Sequence, residues 1–179
     1  KCNFHCEFCP SDSQSRNHGY MEMSLVKKIF DEISHKKLVP KVNLHLMGEP
    51  TLHPKLNDIL TYAKQKSVKV ALTTNGSTMV KKKIPQLLDS ISGEIVASLM
   101  TPTKDTYKIR GDVGLSWERY VDSFRLLIFE HLKKILKGDK IDYEIIFRVM
   151  VSNENEKGTA KVLESSKSLQ ENYNEWSLV

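Results

Sequence analysis

No run in this chain of 179 residues approaches the 18 or more consecutive apolar residues of a transmembrane helix, so no membrane partner is expected. No secretory signal pattern is present either. The chain opens at Lys1 with neither an initiator Met nor a preceding element, and further residues are expected upstream. Charge of one sign is not in large excess: 27 Lys and Arg against 22 Asp and Glu leave a mildly basic +5. The basic residues are scattered except for Lys81-Lys82-Lys83, and no aromatic interleaves that run. It reads as the solvated start of a helix, which argues against a nucleic-acid partner. No composition break marks a second domain, so one domain over 1–179 is expected. Cysteine is scarce. There are three, an odd number, so pairing within the chain cannot use them all.

Those three cysteines stand together, as Cys2-Asn3-Phe4-His5-Cys6-Glu7-Phe8-Cys9, a C-x3-C-x2-C spacing. Three soft thiolates within one short loop suit a metal or an iron–sulfur cluster. A [4Fe–4S] cluster wants four ligands, so three thiolates leave one iron open. A structural zinc site with His5 or His18 as the fourth ligand competes on spacing alone. Buried free thiols are a third reading, poorly matched to the polar and aromatic neighbours of Cys6 and Cys9. Reduced, clustered cysteines point to a reducing, cytoplasmic setting.

The rest of the chain alternates helical and strand patterns. After a polar loop at 10–22, Ser24 reads as the N-cap of a helix carrying Val26, Ile29, Phe30 and Ile33, which stops before Pro40. Strands are expected at 42–46, 68–73, 95–99 and 142–151. Between them lie a helix with Pro54 at its first position and Leu56, Ile59, Leu60 and Ala63 on one face, a helix with Ile84, Leu87, Leu88 and Ile91, and a long helix capped by Ser116 and ended by Gly138. A loop with Pro102, Gly111 and Gly114 precedes the long helix. Val162, Leu163 and Leu169 indicate a further helix and 176–179 a further strand. Regular alternation predicts a parallel sheet with crossover helices. The polar segments Gly48-Glu49-Pro50, Thr74-Asn75-Gly76 and the surroundings of Ser98 all follow strands. The cysteine loop precedes a helix in the same way, so these segments are expected to converge on one rim, where α/β barrels carry their chemistry.

The cysteine spacing, with aromatic Phe8 just before Cys9, resembles the radical S-adenosylmethionine (radical SAM) enzyme superfamily. The resemblance implies that Cys2, Cys6 and Cys9 hold a [4Fe–4S] cluster and that the amino and carboxylate groups of S-adenosylmethionine chelate the open iron. One electron then breaks the sulfonium S–C bond, and the resulting 5′-deoxyadenosyl radical takes a hydrogen atom from a substrate. Gly48-Glu49-Pro50 stands where the family has Gly-Gly-Glu-Pro, with Met47 in place of the first glycine, and its carbonyls and Glu49 side chain are implied to receive the cofactor's ammonium. Thr74-Asn75-Gly76 resembles the family's Thr-Asn-Gly strand ending, which shapes the cofactor pocket. Ser98-Leu99-Met100 stands where many members have Ser-Leu-Asp, so Ser98 is implied to bind ribose or carboxylate while the acid is lost at Met100. Residues 106–111, Thr-Tyr-Lys-Ile-Arg-Gly, resemble the segment that follows. Arg119 is a candidate partner for the cofactor carboxylate, with an exposed helix arginine as the plain alternative.

The resemblance implies a partial, TIM-like (β/α)6 barrel, with its first strand and last portion missing. Within the superfamily the chain looks most like the SPASM and twitch members, which modify peptides, proteins and small metabolites. The implied partners are S-adenosylmethionine, a low-potential electron donor such as flavodoxin or ferredoxin, and a peptide substrate. The competing classes are an RNA- or metabolite-modifying member and a non-catalytic iron–sulfur or zinc protein. Plainer expectations attach to four features. His45 is a strand histidine in the barrel interior or against a helix, and His53 caps the helix after it. Met21 and Met23 are packing residues. Arg148, in a strand, is expected to face the barrel interior and bind a cofactor or substrate carboxylate, because a buried guanidinium needs a partner.

Overall fold

The computed structural model describes residues 1–15, 17–111 and 114–149; the expected helix around 162–169 and strand at 176–179 lie outside the described residues. Among the described residues four parallel strands form one sheet in sequence order: β1 (Lys41–Asn43), β2 (Lys69–Thr74), β3 (Gly93–Ser98) and β4 (Tyr143–Arg148). The helices are α1 (Met23–Lys36), α2 (Leu56–Gln65), α3 (Ile84–Ser90), α4 (Lys104–Tyr107) and α5 (Trp117–Leu136). The strand–helix order is that of crossover units, in which each helix spans the gap between parallel neighbours.

The apolar spacing explains which face each helix buries. Val26 and Phe30 of α1, Ile59, Leu60 and Ala63 of α2, Leu87 and Leu88 of α3, and Leu127 of α5 join Val70, Leu72 and Ile95 of the sheet in one core. The central strands carry the apolar runs Val70-Ala71-Leu72 and Ile95-Val96-Ala97 and are buried at consecutive positions, as expected where a parallel sheet is covered. Each fully buried Leu or Ile contributes about 1.5–3 kcal/mol. A second, smaller cluster unites Phe4 of the cysteine loop with Ala97 of β3 and Tyr120 and Phe124 of α5. Phe4 is thus the apolar anchor that seats the cysteine loop on the strand ends.

Several boundaries differ from the sequence expectation. Helix α1 begins two residues early, with Glu22 at the N-cap position and no side-chain cap; Ser24 lies inside the first turn. Strand β1 is shorter than 42–46. Leu44 N–H still donates to Ala71 O at 3.0 Å, but the chain then leaves the sheet to reach Gly48, and Leu46 stands 85% exposed. Alternation continued there without burial. Pro54 precedes α2 instead of opening it. His53 is not the N-cap of that helix, which is Lys55 with no side-chain cap; His53 stands two residues earlier, its Nδ1 accepting from Lys55 N–H at 3.1 Å and its carbonyl from Leu56 N–H. Met23 packs on the core, whereas Met21 is half exposed. The segment expected as loop before α5 contains α4 and a 3-10 turn at Lys108–Arg110. Ser116 caps α5 as expected, its Oγ accepting from Arg119 N–H.

Candidate functional site

The cysteine loop turns back on itself through Cys9 N–H to Cys6 O at 2.9 Å. All three thiols are free and partly buried. Burial pushes the Cys2 and Cys6 thiols up; the Glu49 charge adds to the rise at Cys2, and Arg110 opposes it at Cys6. Each of these two thiols also feels Cys9, so the three sulfurs share one neighbourhood. Among the described residues no three His, Cys, Asp or Glu side chains converge on a point that one metal ion could fill. A cubane cluster asks for something different, since it gives each thiolate its own iron.

The strand ends meet this loop through a chain of hydrogen bonds. Gly48 follows the exit from β1 with φ of +132°, a conformation that favours glycine, and a Cβ there would stand 3.1 Å from Lys1 O. Next to it, Glu49 N–H donates to Lys1 O at 2.9 Å. The Glu49 side chain is 4% exposed. Its Oε1 accepts from Thr51 N–H (3.0 Å), Thr51 Oγ1 (2.5 Å) and Thr74 Oγ1 (2.8 Å), and its Oε2 accepts from Asn75 N–H (2.6 Å). Burial raises the Glu49 carboxyl above the ordinary range, and these donors pull it partly back. Among the described residues no cation pairs with it, and Oε2 has one donor. Asn75, 7% exposed, ties both sides together: its Nδ2 reaches Asn3 Oδ1 at 3.2 Å and lies 3.9 Å from Cys2 Sγ. Thr74, Asn75, Glu49 and Cys2 are therefore one connected group, as the sequence predicts. Pro50 opens the 3-10 turn that aims Thr51 at Glu49. Beside the group lies a cleft of about 310 Å³, lined in part by Cys2, Met47, Gly48 and His18.

The far side of the loop holds a group the sequence reading left without a role. Arg110 is 2% exposed. Its Nε–H donates to Thr101 Oγ1 (3.1 Å), Nη2 to Ser98 O (2.6 Å) and to Tyr120 OH (2.6 Å), and Nη1 to Cys6 Sγ (3.7 Å). The guanidinium carbon sits 5.1 Å from the ring centre of Tyr120, 5.5 Å from that of Phe4 and 5.7 Å from that of Phe8. Among the described residues no carboxylate faces it. Gly111, at φ of +75°, lets this segment lie against the loop, because a Cβ there would stand 2.7 Å from His5 O. Glu7 N–H to Ile109 O, at 3.0 Å, completes the contact.

The remaining expected residues divide. Ser98 is buried at the end of β3, where its carbonyl accepts from Arg110 and Tyr120. Phe8 is 38% exposed and covers Arg110. Arg119 is exposed in the first turn of α5, and the structure gives its side chain no described partner at the site. Arg148 is exposed at the end of β4, so it is not a buried guanidinium, but it lies on the strand face opposite Phe147, whose ring packs on Phe124 of α5, and its charge reaches His45 beyond β1, as expected of a position facing the interior. His45 lies just beyond β1, half-buried, with Nδ1 unpartnered among the described residues. Burial, then the charge of Arg148, holds its imidazole low.

A family model described as the Radical SAM superfamily matches residues 1–162. A Pyrococcus furiosus protein described as the tungsten-containing aldehyde ferredoxin oxidoreductase cofactor-modifying protein is 26% identical over 89 residues, covering 50% of this chain and 25% of its own length. The antilisterial bacteriocin subtilosin biosynthesis protein AlbA of Bacillus subtilis is 30% identical over 134 residues, 64% of this chain and 29% of AlbA. The chain thus spans less than a third of either relative. Streptococcus suis SuiB, solved with S-adenosylmethionine, shares the fold at a TM-score of 0.56 and 16% identity over 95% of this chain and 43% of SuiB. SuiB bound to the precursor peptide SuiA gives the same TM-score at 19% identity, over 82% of this chain and 37% of that one. The four-stranded parallel sheet is accordingly the partial barrel of these proteins.

Proposed function

The chain belongs to the radical SAM superfamily, and from that premise we propose that Cys2, Cys6 and Cys9 are the three protein ligands of a [4Fe–4S] cluster whose fourth iron is left to S-adenosylmethionine. The family uses this cluster and this cofactor. When bound, the cluster supplies the electron that cleaves S-adenosylmethionine to methionine and the 5′-deoxyadenosyl radical that abstracts hydrogen from substrate.

The chain's own residues fit that pair. Soft thiolates on one loop suit iron, and coordination to the metal would offset the cost that burial places on the thiolate charge. Glu49 is the proposed partner of the cofactor's ammonium, because it is a buried carboxylate with spare acceptor capacity and no described cation. Gly48 and Pro50 frame it, and Thr74 and Asn75 hold its oxygens in place. Phe8, Ser98 and Arg119 are the proposed contacts to the rest of the cofactor, Ser98 at ribose or carboxylate and Arg119 at carboxylate. One observation carries this reading: Asn75 touches the Glu49 carboxylate, Asn3 and the neighbourhood of Cys2 at once, joining the metal loop to the ammonium site.

For the substrate we propose a peptide or protein side chain. The likeness to AlbA, named for bacteriocin biosynthesis, and to SuiB, solved with a precursor peptide, supports this choice. A small metabolite is the second reading, supported by the likeness to the cofactor-modifying protein. A low-potential donor such as flavodoxin or ferredoxin would deliver the electron, in a cytoplasmic setting, with 1–179 as the core domain of a SPASM- or twitch-type enzyme. The test is anaerobic reconstitution followed by reduction in the presence of S-adenosylmethionine. Release of 5′-deoxyadenosine is expected, with none from Cys6→Ala. No release from the iron-loaded wild type would overturn the enzyme reading.

A further inference from the structure

We propose that Arg110 is a positioning residue for the metal centre, a fixed internal counter-charge that hydrogen-bonds the Cys6 ligand and raises the centre's affinity for an electron. The inference rests on the cluster reading given above. Its starting point is an imbalance. A guanidinium removed from water costs several kcal/mol unless an anion compensates it. Arg110 is 2% exposed, and its described partners are a carbonyl, two hydroxyls, three aromatic faces and one sulfur. Ring faces and neutral oxygens solvate the cation in part. The Tyr120 phenol keeps its proton on Ser98 O, and the group that becomes an anion beside the guanidinium is the sulfur, as a metal ligand.

The donor geometry decides between two roles for this cation. A guanidinium has five N–H donors. Nε–H, both Nη2–H and one Nη1–H of Arg110 are used on Thr101, Ser98, Tyr120 and Cys6. No paired fork remains to clamp a carboxylate, so the side chain is committed to the ligand sulfur. Its position is over-determined: Thr101 fixes Nε, β3 and α5 fix Nη2, and Gly111 lets the backbone close on His5. One-electron reduction by an external donor adds one negative charge beside this cation. A cation that cannot move away stabilises the reduced state more than the oxidised one, and N–H donation to a ligand sulfur acts in the same direction.

The test compares wild-type protein with Arg110→Gln, Arg110→Met and Arg110→Lys after anaerobic iron–sulfur reconstitution. Iron content, thermal unfolding and an EPR-monitored redox titration are measured on each. At the potential that half-reduces the wild type, the ratio of reduced to oxidised cluster is expected to fall at least about tenfold in Arg110→Gln, a downward shift of about 59 mV for one electron. Arg110→Met, an apolar chain in the same aromatic cage, should show the same fall and serves where Arg110→Gln fails to fold. Arg110→Lys keeps the charge and should recover most of the loss. Neutral variants that unfold earlier but titrate like the wild type would overturn the inference and leave Arg110 a purely structural tie. A wild type that binds no [4Fe–4S] cluster would overturn the cluster reading, and this inference with it.

Discussion

Glu49 is pulled in two directions, and its ionisation reports which one wins. Burial favours the protonated form and raises its carboxyl, while the donors from Asn75, Thr51 and Thr74 favour the charged form. The rise prevails in the cofactor-free protein. Between the unfolded value of about 4.3 and the raised folded value, the folded chain therefore binds more protons than the unfolded one. Stability falls as pH increases through that window. Urea unfolding of cofactor-free protein across a pH series should show this fall, and Glu49→Gln should flatten it; matching profiles would contradict the assignment. The same substitution removes the negative charge proposed to meet an ammonium. Hydrogen bonds to charged groups contribute about 1.5–3 kcal/mol, so S-adenosylmethionine should bind about 10- to 100-fold more weakly to cluster-loaded Glu49→Gln, as read by calorimetry. Glu49 and Asn75 were legible in the sequence because short motifs at strand ends carried them. Arg110 was not. It lies in a segment without periodicity, and its role depends on Cys6, 104 residues earlier in the chain.

At the scale of elements, the cysteine loop is held by packing and close backbone approach more than by hydrogen bonds of its own. Phe4 inserts between β3 and α5, and the loop lies directly on Gly111. Gly111 pairs φ of +75° with ψ of −179°, a region essentially reserved for glycine. Gly111→Ala should therefore cost about 1–3 kcal/mol, read by chemical denaturation, and should lower the iron retained after reconstitution because the new Cβ meets His5 O. Iron retention equal to wild type would show that the loop adjusts without harm to its ligands. Periodicity located β2, β3, α3 and α5 well, because each has a strong apolar face. It overran β1, where Leu46 kept the alternation after the chain had left the sheet. It also passed over α4, whose four residues are set by the Thr103 cap and by tertiary contact, not by an apolar stripe.

For the molecule as a whole, one core of helices against a parallel sheet supports a polar rim on one edge of that sheet. The two are separable. Leu127, fully buried where α5 meets the core, belongs to the main core and not to the smaller cluster that seats Phe4. Leu127→Ala should cost about 2–5 kcal/mol in denaturant unfolding while leaving the cluster spectrum of the folded protein unchanged. An altered spectrum would mean that core and rim are coupled. The alternating order of strands and helices made this architecture readable from the sequence, and the cysteine spacing with Gly48-Glu49-Pro50 marked its working edge. The central claim is that three cysteines suffice because the cofactor itself completes the metal site. EPR of the anaerobically reconstituted and reduced protein, recorded with and without S-adenosylmethionine, tests it most directly. The account predicts a [4Fe–4S] signal that changes when S-adenosylmethionine is added. A cluster signal that the cofactor leaves unaltered, or stoichiometric zinc in place of iron, would contradict it.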